Sequence, residues 1–446
     1  VFGKITKFGK AVQVRINGRE ATYREVQNLQ PESIARVEYR ENPGLRYNGA
    51  NAVLDFIVRN PTVGGSFSTS NDIWMTKRLS GNSSNSLKLN RGKGQIGLSL
   101  TGQLRNNMTI FREYHENILF ADGTLITRTE TPRDGSKCNQ RRIEGELEYT
   151  YIDPDKFTFY ASLSLERMDR QTMEFEGLMA SSIDEKPVLL SQMDSSPYTI
   201  PSLNLYFDKQ LGNDQSLVVD FVAEFDKRRS EQTHIETEEG MVTPLTDIHT
   251  TINDRNWTFG LETNYIKEWE NSQLTAGLSW NGNRNRSTYI TSDNALFHQR
   301  RDKFYGFAEF MYDWDEVSLT AGAGVEYNDL KLRESDKQTS SWNFIPQVTV
   351  VWDRDWSNLR FTMRGWSSTP TLSQTNPTVQ QIDRFQYQVG NPDLQGYSNW
   401  SANLNWAQNF RRLNTAVQFG YQTTSGNAIA AHYYWNKDNQ LITTFT

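Results

Sequence analysis

Five histidines (His115, His234, His249, His298 and His432) and one cysteine, Cys138, are the side chains of this 446-residue sequence whose chemistry would be most telling. They are scattered. No two histidines stand at a metal-binding spacing, and no His-Glu-x-x-His occurs. There is no Gly-x-Ser-x-Gly elbow and no phosphate-binding loop. A lone cysteine makes neither an intrachain disulfide nor a zinc site, and the polar surroundings of Cys138 mark it as incidental. The acidic run "ETEEG" at Glu236–Gly240 lacks the ligand spacing of a calcium loop and reads as solvated. These residues point to no catalysis, no cofactor and no metal. A second set can do non-covalent chemistry. Phe111, Tyr114, Phe120, Phe175, Tyr198, Phe385 and Tyr387 fall in long polar segments, where such rings can stack on sugars or other flat ligands. Packing of the segments against one another explains them equally well.

The elements that would carry these residues follow from composition and pattern. Hydrophobic residues make up 36% of the chain and aromatics 12%, and mean hydropathy is −0.68. The first figure is low for a globular enzyme of this length, and the second is too high for disorder. A net charge of −6 argues against a nucleic-acid partner. No run of 18 apolar residues suggests a membrane helix. From Gly64 onward the apolar residues alternate instead. In "QIGLSLTGQL", Ile96, Leu98, Leu100 and Leu104 share one face, while Gln95, Ser99, Thr101 and Gln103 share the other. The same alternation runs through "FTFYASLSLE" from Phe157, "LVVDFVAEFD" from Leu217, "QLTAGLSWN" from Gln273 and "LNTAVQFGYQ" from Leu413.

Turns alternate with loops. Tight turns are predicted at Arg91–Gly94, Asp153–Lys156, Leu211–Gln215, Trp269–Ser272, Asp313–Glu316 and Trp435–Asn439, rich in residues that tolerate turn geometry. Long polar loops are predicted at about Asn106–Asn139, Gln171–Thr199, Arg228–Asp254 and Ser367–Tyr397. Short turns on one side and long loops on the other are the layout of an up-and-down outer-membrane barrel. Trp269, Trp314, Trp352, Trp356, Trp406 and Trp435 stand at or beside tight turns, where a membrane barrel places aromatic rings; covering of strand ends in a soluble protein is the competing reading. The strands number roughly sixteen, with a seventeenth beginning near Gln440. Several keep alternating for ten residues or more, enough to cross a tilted bilayer.

The first sixty or so residues differ. "VQVRINGREA" reads as a strand, an Asn17–Gly18 turn and a second strand. "TYREVQNLQ" puts Tyr23, Val26 and Leu29 on one side of a helix. "PESIARVEY" reads as a short helical turn, "NPGLRYNG" as a turn, and "AVLDFIVRN" as a strand covered on both faces.

Here the chain resembles a known family. "VRING" at Val14–Gly18, "LQPESIARVEYRENPGLRYNG" at Leu29–Gly49 and "AVLDFIVR" at Ala52–Arg59 resemble the C-terminal half of the plug of TonB-dependent outer-membrane receptors. "SSTPTLSQTNP" at Ser367–Pro377 and "GNPDL" at Gly390–Leu394 resemble a barrel segment of the outer-membrane β-barrel branch. The resemblance implies an all-β transmembrane fold: a large antiparallel barrel of about 22 strands, about 16–17 of them present, with a small αβ plug fragment at the N-terminus. It implies a plug fragment at residues 1–61 and a barrel at residues 62–446, incomplete at its C-terminus. Asn17, Gly18, Arg36, Glu38, Pro43, Gly44, Arg46, Tyr47 and Gly49 are the plug-motif residues. Arg36, Glu38 and Arg46 would face lumen groups such as Asp220, Glu224, Arg360 or Arg364, or else water. The implied activity is plug-gated import of a siderophore, oligosaccharide or peptide, with outer-membrane lipids and a TonB-type inner-membrane transducer as partners and surface lipoproteins as further candidates. The alternatives are a scaffold subunit of a surface complex and a receptor that signals without transport. The segment that engages the transducer is expected upstream of Val1.

Overall fold

Alternation like that of Gln95–Leu104 commits a chain to a sheet whose two faces meet different surroundings, and the strands here are built that way. The computed structural model describes residues 6–7, 10–27, 29, 31–40, 43–47, 50, 52–59, 63–75, 78–120, 122–133, 135–290, 295–354, 356–410, 413–426, 428–437 and 440–446. A ribbon of β1 (Thr6–Lys7) and β2 (Lys10–Ala11) precedes a small αβ unit. That unit comprises β3 (Gln13–Ile16), β4 (Arg19–Ala21), α1 (Tyr23–Gln27), β5 (Ile34–Arg40) and β6 (Val53–Val58), in the sheet order β4-β3-β6-β5. Asn17 and Gly18 join β3 to β4 with φ of 49° and 81°, the left-handed pair that a two-residue hairpin turn requires. β6 lies parallel to β3 and antiparallel to β5, and Val12, Val14, Ala52 and Val53 are buried.

One expectation fails in this unit. Pro31–Ser33 forms a single 3-10 turn, and Ile34–Arg40 is a strand rather than part of a helical turn. The spacing of Ile34 and Val37 suits a helix. Pairing along the edge of β6, from Ile34 opposite Val58 to Arg40 opposite Val53, decides otherwise.

The remaining chain forms one 18-stranded sheet. It runs through β7 (Val63–Met75), β8 (Leu79–Arg91) and β9 (Gly94–Thr109), then the hairpin β10 (Tyr114–Leu119) and β11 (Leu125–Pro132). β12 (Lys137–Asp153), β13 (Phe157–Ser181), β14 (Val188–Ser195), β15 (Tyr198–Gly212), β16 (Gln215–Glu238) and β17 (Thr246–Trp269) follow. Next come β18 (Ser272–Tyr289), β19 (Ala295–Trp314), β20 (Val317–Leu332), β21 (Lys337–Arg354) and β22 (Ser357–Ser368). After a segment holding α2 (Leu372–Thr375), β23 (Gln380–Gln381) and β24 (Gln386–Gln388), the wall continues with β25 (Tyr397–Phe410) and β26 (Leu413–Ser425). Long strands pair antiparallel with their neighbours, β12 pairing with β9 across the base of the β10–β11 hairpin. No helix among the described residues is long and apolar enough to cross a membrane; crossing falls to the strands.

The tight turns lie together at one end of the wall. At the β15–β16 turn Asn213 and Asp214 take φ of 51° and 53°. At the other end two predicted loops are strands. Gln171–Thr199 holds the end of β13 and β14, and Arg228–Asp254 holds an unbroken ladder from Arg228 opposite Asp254 to Glu236 opposite Thr246. β13 has 25 residues and β16 has 24, against the 9–11 that a bilayer crossing takes. The excess stands clear of the membrane. There neither face meets lipid, and the inner face buries polar groups such as His234 and Glu236 beside a few apolar ones, so the apolar alternation that marks a strand weakens. The stretch near Gln440 also differs from expectation. β28 (Leu441–Phe445) joins β27 (Ala431–Trp435), β24 and β23 in a separate four-stranded sheet, so it does not begin another wall strand. Trp435 donates its indole N–H to the Leu119 carbonyl at 3.1 Å, which puts it at the long-hairpin end.

The two faces of the wall sort as the alternation requires. Leu98, Leu163 and Leu278 are 43%, 59% and 71% exposed, whereas Ser99, Ser164 and Ser279 line an interior cavity. Two aromatic belts bound the apolar face. Trp269 and Trp314 are exposed near the tight turns, and Trp257 and Trp342 are exposed farther along β17 and β21. Twelve residues separate Trp257 from Trp269 and ten separate Trp342 from Trp352. At about 3.4 Å per residue and a tilt of about 40°, the belts stand roughly 25–30 Å apart, the height of a bilayer's apolar band.

Candidate functional site

The motif residues of the αβ unit fall into three groups. Asn17, Gly18 and Tyr47 hold the unit to itself. The Val58 N–H donates to Asn17 Oδ1 at 2.9 Å, the Gly18 N–H to Asp55 Oδ1 at 3.1 Å, and Arg15 donates to the Gly18 carbonyl at 2.5 Å while lying over the Tyr47 ring. Pro43, Gly44 and Arg46 face the wall. Arg36 and Glu38 pair with each other at 2.7 Å, and the Arg36 side chain is 65% exposed. Gly49 lies outside the described residues.

The wall contacts are specific. The Leu45 N–H donates to Glu309 Oε2 of β19 at 2.8 Å, and Gln347 of β21 donates to the Pro43 carbonyl at 3.2 Å. Glu309 is 3% exposed. A Cβ on Gly44 would stand 1.6 Å from its carboxylate, and one on Gly322 of β20 would stand 3.0 Å from Leu45 Cδ1. Gly44 and Gly322 thus let the unit and the wall approach. Arg19 stacks on the Tyr160 ring of β13 at 3.7 Å. Arg46 is half-buried, and its desolvation disfavours its charge. Tyr47, Tyr206, Asp208 and Glu262 outweigh that cost and hold its pKa above the usual value. Glu309, Gln347, Tyr160 and Tyr206 escaped the sequence reading; their only signal is a place on the polar face of an alternating strand. All lie in the half of the wall nearer the tight turns.

A cavity of about 780 Å³ separates the Arg19–Glu25 side of the unit from the wall. Asp220, named beforehand as a lumen group, lines it with Glu20, Glu144, Glu146, Glu148 and Glu262, opposed by Arg19, Lys88 and Arg142. Many of these charges are paired: Lys88 with Glu148 at 2.9 Å, Arg142 with Glu166 at 2.7 Å and Arg19 with Glu25 at 2.5 Å. Burial works against the Glu25 carboxylate. Arg19 and the Thr22 donors prevail and hold its pKa below the usual range. Asp55 goes the other way: burial raises it, and the Gly18 N–H and Arg15 offset only part. No cluster of metal-ligating side chains occurs among the described residues. The surroundings are those of a polar passage lined with exchangeable ion pairs.

The loop aromatics are only partly gathered. Phe120 stacks on Trp435 at 4.5 Å and meets Phe385 edge-on at 6.3 Å, and Tyr114 donates to Glu116 beside them. Tyr387 lines a separate cavity of about 260 Å³ with His249 and Tyr289. Phe175 lies under Arg112, Tyr198 donates to Glu166 under Arg228, and Phe111 is exposed.

A profile of the outer membrane protein beta-barrel family matches residues 202–446, more than half of the chain. The chain belongs to that family. It is an integral protein of the outer membrane. No curated protein matches it. Among solved structures it resembles the copper transporter OprC, with a TM-score of 0.62 at 10% identity, over 98% of this chain and 66% of that one. It also resembles the siderophore receptor PirA from Pseudomonas aeruginosa, with a TM-score of 0.55 at 14% identity, over 97% and 71%. A third is the Serratia marcescens hemophore receptor HasR, in complex with its hemophore and heme, with a TM-score of 0.54 at 11% identity, over 97% and 69%. At these identities the likeness is one of fold. The chain spans about two thirds of the length of these proteins.

Proposed function

We propose that this chain is the greater part of an energised importer of the outer membrane, whose αβ unit (residues 1–61) is the C-terminal half of a plug and whose barrel is residues 62–446. The observation that carries this reading is the seating of Gly44–Leu45 against Glu309. A small unit is held inside a membrane wall by a few polar contacts across a wet interface. Such contacts are few and local, so the unit can be shifted without unfolding the wall, at a cost that outside work must supply because Glu309 is buried. A TonB-type transducer acting from the inner membrane would supply the work. Cargo would be a large solute such as a siderophore complex, an oligosaccharide or a peptide. Of the proteins of similar fold, described as a copper transporter, a siderophore receptor and a hemophore receptor, the second supports the first of these. Phe120, Phe385 and Trp435 are the rings best placed to meet cargo.

One observation favours a second reading, a scaffold within a surface assembly: the continuous ladder β10-β11-β13-β14-β16-β17 stands far above the membrane and ends in the edges of β10 and of Thr246–Thr251 in β17, which can take partners. A single experiment separates the two. The full-length protein is purified in detergent, and binding of the transducer's periplasmic domain is measured with and without the residues upstream of Val1. Binding that needs the upstream segment supports the importer. A folded barrel that binds in neither form overturns it in favour of the scaffold.

A further inference from the structure

Residues 369–396 leave the outer end of β22 and return to β25. The base of this segment is packed. Leu372 of α2 rests on Tyr289, Phe297, Leu330 and Leu332, the Gln299 amide donates to Thr375 Oγ1 at 3.1 Å, and Asn376 donates to the Tyr289 hydroxyl. The Gly390 N–H donates to the Asn376 carbonyl at 2.8 Å. A Cβ on Gly390 would stand 2.5 Å from that oxygen. Both legs of the segment therefore close on each other here. Tyr289 shares the parity of Asn281 on β18, and Gln299 that of Glu309 on β19, residues that face the interior. The base sits over the lumen.

The tip is held differently. Arg384 donates to both oxygens of Asp184 at 2.9 and 3.1 Å, and Gln386 donates to Glu116 of β10. Asp383 stiffens the turn by accepting the N–H groups of Phe385 and Gln386 at 2.7 and 2.9 Å. Phe385 lies before the guanidinium of Arg128 at 5.3 Å, and Arg128 is itself buried between Glu236 at 2.6 Å and Glu116 at 3.3 Å. The eight residue steps from Asn376 to Arg384 reach at most about 26–29 Å. That carries the chain from the β18–β20 wall to the β10–β11 hairpin and the turn after β13. Apolar packing and backbone closeness at the base resist opening. At the tip β24 is laddered to β28, so these strands move as one piece; the contacts that tie Arg384 and Gln386 to the turn after β13 and to β10 are an ion pair and an amide, which water can replace.

We propose that residues 369–396 form a hinged strap over the outer mouth of the lumen, fixed at the base by α2 and Gly390 and latched at the tip by Asp184, Glu116 and Arg128. The inference rests on the barrel alone and needs no transducer. Its test uses the full-length protein in intact cells, with Cys138→Ser to remove the native thiol and Asn281→Cys as a reporter in the lumen. The reporter is labelled from outside with a maleimide on a bulky poly(ethylene glycol) chain and, separately, with N-ethylmaleimide. Adding Arg384→Ala with Gln386→Ala should speed the bulky label by about tenfold or more, as expected of a shift toward an open population, and leave the small label little changed. A second variant replaces residues 378–388 by a short Gly-Ser linker and sets the rate of an uncovered mouth. Val242→Cys, at the tip of the β16–β17 hairpin, checks that each variant reaches the surface folded. If the linker variant is fast and the unlatched variant is not, the latch is wrong. If neither exceeds the parent rate for the bulky label, no strap closes this mouth.

Discussion

The lumen of this barrel is occupied at both ends, and the two occupants are held in different ways. Toward the tight turns, the αβ unit meets the wall through glycine and backbone. Gly44 admits the Glu309 carboxylate, the Leu45 N–H donates to it, and the Pro43 carbonyl accepts from Gln347. Toward the long hairpins, the segment 369–396 has a base as close-fitting as that; its tip is laddered to β28, but what ties that sheet to the turn after β13 and to the β10–β11 hairpin is largely long side chains, Arg384 with Asp184, Gln386 with Glu116 and Phe385 before Arg128. Backbone-anchored contacts fix position. Contacts made by long side chains fix it only while each partner stays. The contrast places ready movement at the outer tip, and makes displacement of the αβ unit a step that needs work.

Both ends hang on the wall, so the largest effect comes from breaking it. Arg at Leu98, Leu163 or Leu278 should cost barrel assembly about 2–4 kcal/mol where the side chain sits near mid-bilayer, read as loss of the heat-resistant folded band. The same change at Ser99, Ser164 or Ser279 should be mild. Equal tolerance on the two faces would sink the sidedness on which the comparison depends. Next comes the fixed base. In Gly390→Ala the new methyl meets the backbone of Asn376 and Gln374 at 2.5–2.8 Å. Backbone cannot swing aside, so about 1–3 kcal/mol of strain is expected, visible as new protease cleavage within residues 377–389 on intact cells. Gly44→Ala should cost less than Gly390→Ala, because the atoms it meets belong to the end of the Glu309 side chain. Glu309→Asp, one methylene shorter, withdraws those atoms while keeping an acceptor for Leu45 and should restore much of the seating in the double variant. Were Gly44→Ala the more damaging, backbone closeness would not rank the two sites.

What the sequence showed follows the same physical division. Where one face of a strand meets lipid and the other water, alternation is strong, and Leu163 against Ser164 was legible at once. The Asn17–Gly18 turn was legible because few residue pairs take positive φ at both positions. The outer ends of β13 and β16 were not. Residues such as Thr233, His234 and Glu236 look like loop when no apolar face remains, although ladder hydrogen bonds keep them extended. Ile34–Arg40 was misread because its edge pairing to β6 lies outside any local window. Glu309 and Gln347 were hidden for a related reason. A polar residue on a lumen face carries no mark of which wall residues the αβ unit touches, since that depends on how the unit is rotated in the barrel.

The smallest effect expected tests the inner grip through its charges. Glu25 has a folded pKa below its ordinary 4.5, burial opposing and Arg19 with Thr22 prevailing. A depressed carboxylate stabilises the folded unit fully above its unfolded value. That contribution fades as the pH falls through the lower, folded value. Asp55 is raised from 3.8, chiefly by burial. Its sign is opposite: protonation favours the folded form, so acid strengthens the unit at that site. Acidification should therefore loosen the α1 edge, where Arg19 reaches Tyr160, while leaving the turn around Gly18 tight. Hydrogen exchange of the full-length protein, compared with Glu25→Gln at each pH from about 6 to about 3, separates the two. The parent should lose its advantage over the variant in α1 and β4 as the pH drops, and the β3–β6 amides should show no such convergence. Uniform loosening of the whole unit would mean that the αβ unit leaves the wall as one body, and that the Arg19–Glu25 pair is not what holds its α1 edge.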